Sequence, residues 1–216
     1  YTFYYWFWKN ILPNAKDSSW IGFCSYRELW GNKKKMDKNS KLEDVVLTKI
    51  PNEWKNYDTI IGEDIYMNDL KFSKLLKHGL WSLIRSPSAV IKSKRNLRFH
   101  FDMWHGNGNL DKAINLLDKE EKDDFRLYTR NNVSFSRGNM FVCRSKKIMN
   151  DYFASVFPWL ERCEKIFGFN LEGYGKTRMY AFLAERYLSY WFIKYTKPLP
   201  WPVIFFDTAK KLNEKN

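Results

Sequence analysis

The sequence is poor in cysteine and has none in a metal-binding arrangement. Cys24, Cys143 and Cys163 are an odd number of thiols, without metal-ligand spacing. Two of them lie inside apolar runs that are typical of strands. We therefore predict reduced, buried thiols in a cytosolic protein rather than a disulfide framework.

Long apolar runs and secretion signals are also missing. No run is long enough to span a bilayer as a helix. The apolar start, YTFYYWFWKNIL, lacks the basic first residues and the small-residue cleavage site of a signal peptide. We expect a cytoplasmic protein that can touch the inner membrane peripherally. Because the chain starts at Tyr1 and not at Met, an upstream piece is expected in the natural protein.

Familiar catalytic and nucleic-acid-binding motifs are absent. The sequence contains no G-x-S-x-G, no Walker loop, no Cys–His pairing pattern and no zinc spacing. It also has no helix-turn-helix, zinc-finger or ribonucleoprotein motif. These absences argue against the common serine and cysteine hydrolases, P-loop enzymes and standard nucleic-acid modules.

Basic and aromatic residues, in contrast, are abundant. Lys and Arg number 37 against 24 acids, a net charge of +13, and aromatic residues make up 19% of the 216 residues. The charge indicates an anionic partner, which could be a phosphorylated substrate, an acidic membrane surface or nucleic acid. Two basic stretches, Asn32 to Lys41 and Arg85 to Arg98, contribute to it, and a solvated surface is the alternative for both. The length fits one domain over residues 1–216.

Strand-like and helical patterns alternate along the chain, which predicts an α/β domain with a mainly parallel sheet. The predicted strands are Trp20 to Cys24, Tyr57 to Gly62, the segment LRFHF, Gly138 to Ser145 and Trp201 to Asp207. The predicted helices are Tyr1 to Leu12 (buried on every side), residues 67–86, Lys146 to Phe167 and Lys176 to Thr196.

Polar groups at predicted strand ends are candidates for binding, since ligands of open α/β sheets sit beyond those ends. Tyr26 and Arg27 end the first strand, and a guanidinium holds phosphate bidentately. Alternatively, Arg27 pairs with an acid. Asp102 and His105 could ligate a metal or hydrogen-bond a sugar. Alternatively, Asp102 accepts backbone N–H groups and His105 is a satisfied turn histidine. Asn139 lies at a strand start.

Glu185 and Arg186 interrupt a helix that is otherwise apolar nearly all round. Because adjacent helical residues point to different faces, we predict that these two do not simply neutralise each other. A buried carboxylate needs a partner or a function. In a cleft, burial would raise the pKa of Glu185 toward that of a general base. The alternative is a structural acid bonded to another helix.

Four segments resemble one protein family in order: YYWFWKN, WIGFCSYRELW, GNMFVCRSKKIMNDYFASVFPWL and RMYAFLAERYLSYWF. The family is glycosyltransferase-like, is encoded in bacterial capsule and O-antigen loci, and is described as a domain of unknown function. Its pattern runs YWxWKN, HYRR, NMF and GFLxER. The resemblance covers nearly the whole chain, although Asn32 to Arg98 matches poorly.

The resemblance implies a GT-A-like fold, with a mixed, mostly parallel sheet flanked by helices. It implies transfer of a hexose, galactosyl or galactofuranosyl, from a nucleotide-sugar, with UDP-sugar the first choice. The acceptor would be a glycan or lipid-linked glycan of capsule or lipopolysaccharide synthesis. Dependence on a divalent metal is left open. Family members carry a segment before YWxWKN that supplies the first nucleotide-binding strand, and we expect that this part of the nucleotide-binding region is lacking here.

The same resemblance implies residue roles. Tyr26 and Arg27 match the Tyr and first Arg of HYRR, and Asn139 matches the Asn of NMF. Glu185 and Arg186 match the ER pair, and Glu185 is the implied base. Tyr26, Arg27, Asn139 and Arg186 are the implied substrate-binding residues.

Three further positions either extend the match or depart from it. His105 matches a His that the family often carries in its middle region. Ser25 and Glu28 depart from the family's His and second Arg. The alternative to a transferase is a degenerate, non-catalytic relative or a basic nucleic-acid-binding protein. Under the transferase hypothesis no nucleic-acid partner is expected.

Overall fold

A computed structural model describes residues 1–17, 19–33, 41–67 and 72–206, without the side chains of residues 72–78 and 174. Most of the basic stretch Asn32 to Lys41, and the charged tail after residue 206, lie outside this description. The α-helices are α1 (Thr2–Asn10), α2 (Leu42–Val45), α3 (Phe72–Arg85), α4 (Leu97–His105), α5 (Asn109–Ile114), α6 (Lys119–Asn131), α7 (Lys146–Phe167), α8 (Tyr174–Thr177) and α9 (Met179–Tyr195). The strands are β1 (Ile21–Gly22), β2 (Glu28–Trp30), β3 (Thr59–Gly62), β4 (Asp64–Tyr66), β5 (Ser134–Ser136), β6 (Phe141–Cys143), β7 (Pro198–Trp201) and β8 (Val203–Phe205).

The central sheet has the strand order β1-β6-β3-β7 and is mixed. Strand β3 pairs with β7 in parallel, whereas β6 pairs antiparallel with both β1 and β3. The antiparallel ribbons β2-β8 and β4-β5 stand beside it. The prediction of a mostly parallel sheet was therefore wrong for the described strands. An alternation of strands and helices predicts parallel pairing when a single helix connects two neighbouring strands. Between β3 and β6, however, the chain forms several helices and the β4-β5 ribbon, so this rule does not apply.

The two faces of the sheet bury different clusters, because successive side chains of a strand point to opposite sides. Ile61 and Phe141 join the large core formed with α7 and α9. Ile60 and Val142 face the opposite side, where they pack with Trp201 and its neighbours. The helix predicted at Lys146 to Phe167 is confirmed as α7, and it contains Pro158. None of the helices in the described residues is long and apolar enough to cross a membrane.

The first helix is less buried than its composition indicated. None of its residues is fully buried, and Phe3 and Trp6 are exposed, so the predicted all-round burial was wrong. One stripe of α1, including Tyr4 and Trp8, packs on the core, as an amphipathic helix on a surface does. Cys24 is also exposed, contrary to prediction, because β1 ends at Gly22, while the other two thiols are buried and free.

The segment LRFHF is the start of α4 and not a strand, so that prediction was wrong. The side chain of Asn96 accepts a hydrogen bond from the Phe99 amide and caps the helix. Helices α3, α5 and α6 all pack against α4. Apolar residues are therefore needed on several faces of α4. Their spacing in LRFHF resembles the alternation of apolar and polar residues in a strand.

Candidate functional site

A cleft of about 530 Å³ opens where the loop between β1 and β2, the turn between β5 and β6, and the first turns of α9 meet. Arg27, Arg137 and Arg178 bring positive charge to it, and Glu28 and Glu185 bring negative charge. The other lining residues are Tyr4, Ser25, Tyr26, Ile65, Gly138, Asn139, Met140, Ala181, Phe182 and Phe205. The cleft thus collects four of the seven predicted site residues, namely Tyr26, Arg27, Asn139 and Glu185.

A serine-based turn shapes the loop that carries Arg27. The Ser25 hydroxyl accepts hydrogen bonds from the amides of Arg27 (3.4 Å) and Glu28 (2.9 Å). Such local bonds from a Ser side chain stabilise turns. From the other side, the Phe206 amide donates to the Arg27 carbonyl. The backbone of Arg27 is therefore held at two points, and the Ser25 side chain stabilises the conformation of the loop.

The side chain of Arg27 has an unmet hydrogen-bonding capacity. Its Nε is buried and has no hydrogen-bond partner among the residues that the structure describes. The guanidinium lies 5.0 Å from the ring centre of Tyr26, which is itself 76% exposed. A buried donor without an acceptor costs free energy unless a ligand supplies the acceptor. The geometry is that of an anion-binding arginine beside an aromatic ring.

A second arginine reaches the cleft through an ion pair. Arg137 Nε donates to Glu28 Oε1 at 3.1 Å, and both side chains are partly exposed. Gly138 follows with φ +69°, a conformation that favours glycine, and an added Cβ would lie 3.0 Å from Glu28 Oε2. Glycine at this position therefore lets the Glu28 carboxylate approach the turn closely.

Glu185 presents its carboxylate to this turn from α9. Its Oε1 accepts a hydrogen bond of 3.0 Å from the Gly138 amide, and its Oε2 accepts one from Arg186. Burial raises the pKa of Glu185, and the nearby charge of Glu28 adds to this, while Arg186 and the Gly138 amide oppose it. The carboxylate is therefore poised to take up a proton nearer neutral pH than an ordinary glutamate.

The predicted separation of Glu185 and Arg186 was wrong. Although their Cβ atoms point to different faces, both side chains are long enough for the head groups to meet. Arg186 is buried, does not line the cleft, and lies with its guanidinium 3.8 Å from the ring centre of Phe135. It also donates to His100 Nδ1 at 3.1 Å, and burial lowers the pKa of His100 well below its usual value. Arg186 thus orients Glu185 from behind.

Asn139 lines the cleft, but its side chain is engaged within the protein. Its Oδ1 accepts from the Tyr1 hydroxyl at 3.0 Å, and its Nδ2 donates to the Ala181 carbonyl at 3.2 Å. Its carbonyl accepts from Tyr4. These bonds join α1, the strand β6 and α9, so Asn139 fixes the wall of the cleft. The predicted contact of Asn139 with substrate stays a prediction.

Asp102 and His105 lie outside the cleft lining, buried in α4 and at its end. Asp102 Oδ1 accepts from the Gly108 amide at 3.0 Å, and His105 Nδ1 is bonded to the Gly175 carbonyl at 2.8 Å. The His105 ring stacks on Phe182, with 4.1 Å between ring centres, and Phe182 faces the cleft. These contacts match the alternative in which Asp102 accepts a backbone N–H group and His105 is a hydrogen-bonded structural histidine. Phe182 lies between His105 and the cleft.

The burial of His105 predicts a contribution to stability that depends on pH. Burial lowers its pKa from 6.5 to about 4. A histidine with a depressed pKa stabilises the fold fully above its unfolded pKa, and this contribution is lost as the pH falls from about 6.5 to 4. We expect up to about 3 kcal/mol of such loss. In His105→Asn, whose Nδ2 can still donate to Gly175, urea unfolding at pH 8 and pH 4.5 should differ by less than in the wild type. Equal pH dependence of both proteins would contradict this role.

The sequence did not lead us to assign three charged residues of the cleft as site residues: Glu28, Arg137 and Arg178. Glu28 was regarded only as a departure from the family pattern, yet its carboxylate pairs with Arg137. Arg137 lies directly before Gly138 at the predicted strand start, and this position in the sequence could have identified it as a site residue. Among the described residues, no three His, Cys, Asp or Glu side chains are grouped as metal ligands.

A second groove of about 530 Å³ adjoins the cleft, and Ala181 lines both. Its walls are mainly aromatic and include the exposed rings of Tyr5 and Phe169 together with Tyr180. Lys9 and Glu164 provide charged groups at the groove. Aromatic faces with polar groups nearby suit flat, amphipathic ligands such as sugar rings.

Comparisons with known proteins agree with this architecture. A model of the family described as "Domain of unknown function (DUF4422)" matches residues 1–196. The apo structure of the bifunctional glycosyltransferase WbbM is similar, with a TM-score of 0.63 and 19% sequence identity. The match covers 96% of this chain and 36% of that chain, so this chain spans about a third of WbbM. At this identity the likeness shows the fold alone. No protein of curated function matches the chain.

Proposed function

We propose, because the chain belongs to the DUF4422 family and has a glycosyltransferase-like fold, that it transfers a sugar from a nucleotide-sugar to a glycan acceptor. The observation that carries the proposal is the cleft. It combines a buried arginine donor, which has no partner within the described part of the chain, with a carboxylate of raised pKa. Sugar transfer is accelerated by an anion site for the leaving diphosphate and by a base for the acceptor hydroxyl.

The leaving group is assigned to the arginine side of the cleft. The Arg27 guanidinium would donate to diphosphate oxygens, and Arg137 would add a second positive charge. The charge on these oxygens grows as the bond to the anomeric carbon breaks, so fixed cations stabilise the transition state more than the bound donor. We propose a UDP-sugar as the donor. In its most specific form, the proposal is that the transferred sugar is galactose, as pyranose or furanose.

The acceptor is assigned to the aromatic groove, which meets the cleft at Ala181. In the reaction, the acceptor hydroxyl oxygen forms the bond to the anomeric carbon, the bond from that carbon to the diphosphate oxygen breaks, and Glu185 takes the hydroxyl proton. The groove would hold a glycan or lipid-linked glycan by stacking sugar rings on Tyr5 and Tyr180. A capsule or lipopolysaccharide chain is the product that we propose.

Titration calorimetry with UDP, GDP and CDP, against a short single-stranded oligonucleotide, tests the proposal. We expect one nucleoside diphosphate to bind and to be displaced by its sugar conjugate. Transfer to an acceptor is then measured with that donor. If the oligonucleotide alone binds, with an affinity that falls steeply with salt, the chain is a nucleic-acid-binding protein and the proposal fails.

The arginine-rich cleft predicts that transfer does not depend on a divalent metal. With Arg27 and Arg137 opposite the diphosphate, we expect the rate of transfer in EDTA to stay within about twofold of the rate in Mn²⁺ or Mg²⁺. The measurement is initial velocity at saturating donor in each condition. Loss of activity on chelation, and its return on adding Mn²⁺, would contradict the prediction.

A further inference from the structure

Positive charge is concentrated in one part of the chain. From Lys71 to Phe101, 31 residues contain eight Lys and Arg and no Asp or Glu. The net charge of this segment is therefore +8, more than half of the +13 of the whole chain. An uninterrupted excess of this size is typical of a surface that meets an anionic partner.

The same segment exposes large apolar side chains. Trp81 is 73% exposed and Ile84 62% exposed on α3, and Leu80 is exposed beside them. The short helical turns that follow, Pro87–Val90 and Lys92–Lys94, add the exposed Val90 and Ile91. Because α3 and the turn Pro87–Val90 are in contact, large apolar residues are exposed on neighbouring elements, which indicates an interaction surface.

Packing explains why these side chains point outward. On the other side of α3, Ser82 donates to Asn107 at 2.9 Å and Leu83 packs on the cluster of Ala89, Phe99 and Met103. Arg95 is buried and donates to the carbonyls of Ala89 and Val90, which holds the following turn against α4. The inner face of the segment is thus occupied by the protein, and its outer face is left to a partner.

Cations flank the apolar residues. Arg85, Lys92 and Lys94 are exposed, and none of them forms an ion pair with another residue that the structure describes. Nucleic acid would need the cations but would gain little from five exposed aliphatic and indole side chains. A lipid bilayer uses both, since Trp, Leu, Ile and Val enter the headgroup boundary while Lys and Arg meet anionic lipids.

We propose that this surface, formed by Leu80, Trp81, Ile84, Val90, Ile91, Arg85, Lys92 and Lys94, docks the protein on an anionic bilayer. The protein would lie on the membrane surface, with Trp81 and Ile84 in the interface and the cations at lipid phosphates. The proposal rests on exposure and charge and is independent of the sugar-transfer reaction.

Vesicle flotation tests the proposal with the purified protein. Vesicles of phosphatidylethanolamine and the anionic phosphatidylglycerol are compared with vesicles of pure phosphatidylcholine, which carry no net charge. We expect flotation with the anionic vesicles, and weakening as salt is raised. Absence of binding to anionic vesicles at low salt overturns the proposal.

Two double variants separate the contributions. Trp81→Ser with Ile84→Ser should lower the partition coefficient at least about tenfold, because apolar area no longer enters the interface. Lys92→Gln with Lys94→Gln should lower it about 30-fold, at about fivefold per charge. Lys49→Gln with Lys55→Gln removes the same charge from two other exposed positions and should stay within about twofold. All replaced side chains are exposed, so circular dichroism should show an unchanged fold.

Other partners give different results. If the variants leave vesicle binding unchanged, the surface is not the docking site. If wild-type protein ignores vesicles, and the first double variant converts a dimer into a monomer in sedimentation velocity, the surface is an interface between two copies. If only oligonucleotide binding is lost in the lysine variant, the partner is nucleic acid. Each of these three results overturns the proposal.

Discussion

Glu185→Gln is expected to lower kcat of sugar transfer by about 10²- to 10⁴-fold, the usual contribution of a general base. The amide oxygen can still accept the hydrogen bond from the Gly138 amide, so the turn should keep its shape. The replacement removes the capacity to take up the acceptor proton and also the ion pair of Glu185 with the buried Arg186. Neither loss touches Arg27, which we assign to the diphosphate. Binding of the nucleoside diphosphate should therefore change little, and calorimetry and initial velocities on one preparation measure both.

A control variant and two contrary outcomes make this result specific. Glu172→Gln removes one negative charge at an exposed position of the loop before α8 and should keep full activity. If Glu185→Gln retains wild-type kcat with a folded protein, Glu185 is structural. If Glu185→Gln loses activity only because it is unfolded, circular dichroism reveals this, and Glu185→Asp, which keeps the charge, should then restore the fold but transfer slowly.

The pH profile adds a test that a structural glutamate would not pass. A base must be deprotonated, so kcat/KM should rise with pH through the pKa of Glu185, which burial raises above the usual value. The charge of Glu28 also raises that pKa. In Glu28→Gln the acid limb of the profile should therefore move to lower pH. A limb that stays in place would show that another group controls it.

Elements whose apolar pattern fits only one kind of secondary structure could be predicted from the sequence. Helix α7 has the predicted bounds, because its apolar spacing is helical and Ser145 caps it through the Ile148 amide. Strand β3 lies within the predicted segment because all four residues are buried. Helix α4 was misassigned since it packs on several sides, and an all-round apolar pattern does not distinguish a helix from a strand.

Residues of the cleft could be predicted only where the local sequence alone marks a side chain as unusual. Glu185 stood out as a carboxylate in an apolar helix, and Arg27 as a guanidinium after a buried strand. Pairings across the chain were not visible, because Glu28 and Arg137 are 109 residues apart and meet only through the fold. Likewise, the hydrogen bond between His105 and the Gly175 carbonyl joins residues 70 positions apart, and no local sequence pattern predicts it.

Arg27→Gln is the second change with a large expected effect. Loss of one donor to a developing anion lowers kcat by about 10²- to 10³-fold in comparable sites. The affinity for UDP should fall by about 10- to 100-fold, since a charge-assisted hydrogen bond is removed, while the affinity for uridine should not change. Arg27→Lys keeps the charge but loses the bidentate fork, so its kcat should lie between those of the wild type and Arg27→Gln.

Stability measurements separate a ligand-binding arginine from a structural one at this position. Arg27 Nε has no hydrogen-bond partner in the described ranges 1–17, 19–33, 41–67 and 72–206, so replacing the side chain leaves no acceptor in those ranges unpaired. Arg27→Met should therefore change the free energy of unfolding by less than about 1 kcal/mol while abolishing most transfer. Arg144→Gln, at an exposed position after β6, removes the same charge and should change neither quantity. If Arg27→Met loses several kcal/mol of stability but keeps transfer and UDP affinity, the guanidinium serves the loop and the diphosphate must be held by Arg137 or Arg178.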